Sequence, residues 1–157
     1  MSQDVQKALN YAYFYLKFRP RSKKEIVDYL TKKAVRFGWP KEAVEKAVED
    51  LIKEKLIDDY QFIDWYINAK SKSKPKSRYL FTQELARYGI QKDLSDEFFD
   101  KNPIDEDVAV VRALQSRWSR WRTLDKQERY KKAAGFLLRR GFRYDQIKKT
   151  IADIEVQ

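Results

Sequence analysis

The chain has no cysteine and no histidine among its 157 residues. Without thiols it can form no disulfide and do no thiolate chemistry. Without imidazole it lacks the usual general base, and His-based triads and His/Cys metal sites are excluded. The missing cysteine fits a reducing compartment, and a cytoplasmic location is expected. Long hydrophobic runs are missing too: nothing approaches eighteen consecutive apolar residues, so no membrane span is expected. The apolar-looking stretch 8–16 is broken by Asn10 and has no small-residue cleavage site, so it reads as a buried helix and not as a signal peptide. Acidic residues are the minority, 24 Asp and Glu against 34 Lys and Arg, giving a net charge of +10. That balance suits an anionic partner such as nucleic acid, or serves solubility alone.

Glycine is scarce as well. The chain has 4, and all but Gly135 sit in one phrase written three times. The copies are Arg36-Phe37-Gly38-Trp39, Arg87-Tyr88-Gly89-Ile90 and Arg139-Arg140-Gly141-Phe142, with the glycines 51 and 52 residues apart. A fixed period near fifty residues indicates tandem repeats. Around each glycine the same positions are apolar. Four before stand Ala34, Leu85 and Leu137; three before, Val35, Ala86 and Leu138; one after, Trp39, Ile90 and Phe142; ten after, Val48, Phe99 and Ile151. Burial of all twelve is expected, as parts of a shared helix–Gly turn–helix unit.

Helical periodicity and punctuation predict nine helices: 4–18, 22–36, 41–54, one opening at Asp58 or Asp59, 78–88, 92–100, 104–121, one opening at Asp125, and 144–154. Ser22 and Glu25 have capping-box spacing, Asp125 and Glu128 a similar one. Pro40 suits the first turn of the third helix. No segment alternates in the manner of a strand. The expected fold is all-α, three tandem three-helix repeats at 1–58, 59–103 and 104–157, with net charges of +4, +1 and +5.

Four features are candidate partner or nucleic-acid contacts. Arg19, Arg21, Lys23 and Lys24 crowd a helix N-terminus, where the dipole disfavours cations, which suggests an anion to meet. Lys70, Lys72, Lys74, Lys76 and Arg78 share a stretch with no acid and no apolar side chain; it reads as an extended basic loop whose cations would neutralise phosphates. Arg117, Arg120 and Arg122 alternate with Trp118 and Trp121, which either stack on unpaired bases or pack. Two tryptophans on one helix face favour packing. Last come the arginines of the turns, Arg36, Arg87 and Arg139, with Arg140 and Arg143 beside the third; a cation in a last helical turn also satisfies free carbonyls. The paired acids Asp58-Asp59 and Asp105-Glu106-Asp107 stand where helices begin, and caps explain them. No catalytic constellation and no cofactor or metal site is expected.

Several of these segments carry a family resemblance. Residues 136–147, Phe-Leu-Leu-Arg-Arg-Gly-Phe-Arg-Tyr-Asp-Gln-Ile, resemble the C-terminal signature of the RecX regulatory proteins. Residues 56–62 are similar to that family's first repeat junction, 19–26 to its opening segment and 84–90 to its central one. The resemblance implies tandem three-helix repeats in an elongated, curved shape. It also implies a non-enzymatic regulator that lies in the groove of the RecA–DNA filament and restrains its ATPase, strand exchange and co-protease activities, and so modulates DNA repair; a monomer is expected. Single- or double-stranded DNA is then a partner as well. Two other readings stand beside it: a RecA-independent DNA-binding protein with helix-turn-helix-like units, and a helical scaffold for another protein.

Overall fold

A computed structural model describes residues 2–157, which carry nine α-helices and no strand. They are α1 (Gln3–Leu16), α2 (Lys23–Phe37), α3 (Lys41–Lys53), α4 (Asp59–Ser71), α5 (Arg78–Arg87), α6 (Lys92–Lys101), α7 (Glu106–Gln115), α8 (Lys126–Arg139) and α9 (Tyr144–Glu155). The sequence-predicted boundaries hold to within a few residues except at α7.

Local chemistry sets these boundaries. Ser22 and Glu25 form the capping box: the Glu25 amide donates to Ser22 Oγ at 3.2 Å, and the Ser22 amide to Glu25 Oε1 at 3.0 Å. Asp58, not Asp59, caps α4, accepting from the Gln61 amide at 3.1 Å. Asp105 and Asp125 cap α7 and α8 in the same way. Pro40 stands just outside α3, extended, as its N-cap residue and not in its first turn. Gly38, Gly89 and Gly141 have φ of +73°, +80° and +86°, the left-handed conformation that a glycine adopts without a Cβ penalty.

The helix expected over 104–121 ends at Gln115, and Trp118–Trp121 forms a separate 3-10 turn. Ser116 Oγ donates back to the Ala113 carbonyl at 2.6 Å, a local bond that competes with the helical ladder. Residues three apart eclipse in a 3-10 turn. Both tryptophans accordingly pack against the core beside α8, with Trp121 and Phe136 ring centroids 5.8 Å apart.

The residues form two compact units, 1–65 with 85–95, and 66–84 with 96–157. In the first, α1, α2 and α3 enclose Leu9, Ile26, Leu30, Ala47 and Leu51. In the second, α7, α8 and α9 enclose Leu114, Phe136, Leu137, Ile147 and Ile151. Helices α4 to α6 give residues to both units.

Nine of the twelve aligned apolar positions are buried; the other three are not. Val35 is 83% exposed and Leu138 52%, and Ala86 is exposed too. Each lies one residue past a buried one, which turns it about 100° off the core face.

Both units contain the same joint between consecutive three-helix sets. In the first, the Lys23 amide at the start of α2 donates to Asp59 at 2.9 Å. In the second, the Arg78 amide at the start of α5 donates to Glu106 at 2.9 Å. Gly89 and Gly141 close the two joints. A Cβ on Gly89 would lie 2.6 Å from Lys24 Cβ; one on Gly141 would overlap Ser77 Oγ and lie 2.8 Å from Leu80 Cβ. Nothing stands within 4 Å of the same position at Gly38. Burial raises the Asp59 carboxyl above the ordinary carboxylate range, with the Lys23 amide opposing it.

Candidate functional site

In the first unit, most of the basic turn is occupied by the fold itself. Arg19 makes two bonds to Glu25, at 3.2 and 2.5 Å, and lies 5.4 Å from the Trp65 ring. Arg21 sits 3.7 Å over the Tyr15 ring, which stacks on Tyr29, and donates to the Tyr15 carbonyl. The anion that this cluster meets is therefore Glu25 of the capping box. Lys24 pairs with Asp28 at 2.7 Å on the surface, a contact of little energy. Lys23 uses its backbone in the joint, and its exposed side chain has no ion pair among the described residues.

In the second unit, the stretch 70–78 is not the extended loop its composition suggests. Lys70 belongs to α4, with its ammonium 5.8 Å from the Tyr66 ring. Pro75 is buried, and buried Ser77 caps α5 by accepting from the Leu80 amide. Lys76 pairs with Glu84 at 2.5 Å, and the same carboxylate accepts from Tyr66 Oη at 2.6 Å. Arg78 lies between Asp96 and Asp100, 3.1 Å from each, and over the Phe99 ring. Desolvation opposes its charge, yet those two carboxylates raise its pKa. The like-charge repulsion expected to open the segment is thus relieved by acids on α5 and α6, elements far enough along the chain that the local composition does not show them. Lys72 and Lys74 stay exposed with no ion pair among the described residues.

The remaining cations surround the 3-10 turn and the third glycine turn. Arg120, Arg122 and Arg139 are exposed and have no ion pair among the described residues. Arg122 and Trp118 line an open concavity of about 690 Å³ with Gln115, Ser119 and Arg129. Arg129 is bonded to Glu155 at 2.8 and 2.9 Å, the first cause of its raised pKa. Arg117 and Arg140 both stand over Phe136, at 5.5 and 4.6 Å from the ring centre. Arg140 also donates to the Pro75 carbonyl at 3.3 Å, and its own carbonyl accepts from the Ser77 amide. Burial, and then Arg117, lower its pKa, with Glu84 acting against them. Arg143 is mostly exposed and only loosely paired, at 3.8 Å from Glu106 and 3.5 Å from Asp145.

In the second unit Arg117 and Arg140 thus share the Phe136 ring, and Arg140 is bonded to the backbone of Pro75 and Ser77, on the segment that carries Lys72 and Lys74. Sequence reasoning missed Arg112, which donates to the Lys72 carbonyl at 3.4 Å and ties that segment to α7. It also missed the joint role of Asp59 and Glu106. The signal available was their position, since each directly follows the residue that caps its helix. No cluster of three or more His, Cys, Asp or Glu able to hold a metal occurs among the described residues, and none of their helices is long and apolar enough to cross a membrane.

Comparison with known proteins gives one family throughout. Residues 8–51 match the description "RecX, first three-helix domain", and residues 105–151 match "RecX, third three-helix domain". A regulatory protein RecX of Prosthecochloris aestuarii is 30% identical over 153 residues, which cover 96% of this chain and 95% of that protein. The one of Chlorobium limicola is 32% identical, covering 92% and 87%. The one of Geobacillus kaustophilus is 28% identical over 97% of this chain, but the match spans only 55% of that longer protein. The crystal structure of RecX from Lactobacillus salivarius superposes along the whole of both chains with a TM-score of 0.78 at 21% identity, which shows the shared fold. On the strength of these matches, and of the repeated three-helix architecture that they share, the chain belongs to the RecX family of regulatory proteins.

Proposed function

We propose that this protein regulates the RecA recombinase in the cytoplasm. It binds the RecA–DNA filament as a monomer, lies in the filament groove, and restrains ATP hydrolysis, strand exchange and co-protease activity without catalysing a reaction itself. The three repeats at 1–58, 59–103 and 104–157 are the units that follow the groove. Membership of a regulatory family supports the reading. The observation that carries it is that seven candidate contact residues of the second unit have no ion pair among the described residues: Lys72, Lys74, Arg117, Arg120, Arg122, Arg139 and Arg140. Unpaired cations meet the phosphates of a polyanionic filament directly, whereas a guanidinium held by carboxylates must first be released from them.

RecA ATPase on single-stranded DNA tests this. Sub-stoichiometric protein is expected to slow hydrolysis. Unchanged hydrolysis, with tight binding to bare duplex DNA, would instead establish the RecA-independent DNA-binding alternative. Unchanged hydrolysis without any DNA binding would leave a protein scaffold.

A further inference from the structure

The three glycine turns keep the same residue types except just before the glycine. In the first it is Phe37, stacked 5.6 Å from Tyr11 and 5.7 Å from Trp39. In the second it is Tyr88, 5.3 Å from the Phe62 ring. In the third it is Arg140, 4.6 Å over Phe136. In the first two turns this residue is thus an uncharged ring beside an aromatic residue of the preceding helix. In the third it is a half-buried cation, and a second cation, Arg117, lies over the same ring. Arg117 has no ion pair among the described residues, and neither has Arg140; both groups, like Lys72 and Lys74 on the segment that Arg140 bonds at Pro75, lack the acid that a structural arginine such as Arg19, Arg78 or Arg129 has here. The acid that acts on Arg140 is Glu84, which Lys76 and Tyr66 already engage. Two guanidinium groups held together without an acid repel each other, and a bound anion reverses that cost.

We infer that Arg117 and Arg140, mounted on Phe136, form with Lys72 and Lys74 a site for the phosphodiester backbone of a single nucleic-acid strand. This rests on the filament-binding reading and identifies the part of it that touches nucleic acid. A guanidinium fork matches phosphate oxygens in pairs, and a row of lysines beside it extends the contact along a chain of phosphates. A single carboxylate of a protein partner would use the fork but not the row.

The test replaces Arg140 with the residue that the first repeat uses. Binding of fluorescein-labelled oligo(dT) is measured against salt for the full chain and for Arg140→Phe and Arg117→Gln, with thermal melting of each. Arg140→Phe is expected to bind on the order of tenfold more weakly, and its melting temperature reads the separate loss of the bond to the Pro75 carbonyl. Its log–log salt slope should be shallower by about 0.7, the loss of one phosphate contact. If Arg140→Phe melts lower, Arg117→Gln carries the same comparison. Unchanged affinity and slope in both variants would overturn the site. So would displacement of the oligonucleotide from neither variant nor parent while poly-glutamate binds the pair, which would make the ligand an acidic protein segment. RecA ATPase measured alongside separates the two readings. Absence of inhibition by the parent, with oligo(dT) binding still lost on mutation, removes the RecA assignment and keeps the site.

Discussion

A single glycine in this chain has a different weight in each repeat. Gly38, Gly89 and Gly141 share a left-handed backbone, so replacing any of them by alanine costs about 1 kcal/mol from that conformation alone. At Gly38 the added methyl meets open space. At Gly141 it meets Ser77 Oγ and Leu80 Cβ, and Ser77 is buried and caps α5, so it has little room to move. Overpacking of that kind adds about 1–3 kcal/mol. Thermal denaturation should therefore show Gly141→Ala clearly less stable than Gly38→Ala, and equal losses would mean that the joint yields easily. Sequence reading saw the left-handed turn in all three copies but not this difference, because the neighbour that crowds Gly141 lies 64 residues earlier in the chain.

The helices are largely legible in the sequence, since Ser22, Asp105, Asp125 and the three glycines mark their own ends. What failed was α7, where the apolar spacing runs on past Ser116 while its hydroxyl turns the backbone into a 3-10 turn. Helix starts also carry a second duty. Asp59 and Glu106 each accept the first free amide of a helix in the preceding three-helix set. A lost acceptor of this type costs about 0.5–1.5 kcal/mol. Asp59→Ala and Glu106→Ala should each lower stability by that amount in denaturant titration, whereas Asp59→Asn, which keeps a carbonyl acceptor, should stay near the parent. An Asn variant as unstable as the Ala one would show that the charge, not the bond, matters at the joint.

At the scale of the whole molecule, repetition and charge answer to different demands. The core positions recur in each set, so repeat architecture could be read from Ala34, Leu85 and Leu137 and their companions. The basic surface could be read only in part. Arg19, Lys76 and Arg78 carry the same charge as Lys72 and Arg117, but their partners Glu25, Glu84, Asp96 and Asp100 are assigned only by the fold. The surface left for a filament is accordingly narrower than the +10 of the sequence suggests. The most direct measurement is cosedimentation of this protein with preformed RecA–single-stranded DNA filaments over a range of salt. The parent and a variant with Lys72, Lys74, Arg117 and Arg140 neutralised are compared with one in which Arg19 and Arg78 are changed to lysine. The parent and the lysine variant should pellet with the filament with a similar steep salt dependence, and the neutralised protein should bind far more weakly with a flattened slope. Equal binding by the neutralised protein and the parent at every salt concentration would contradict the account.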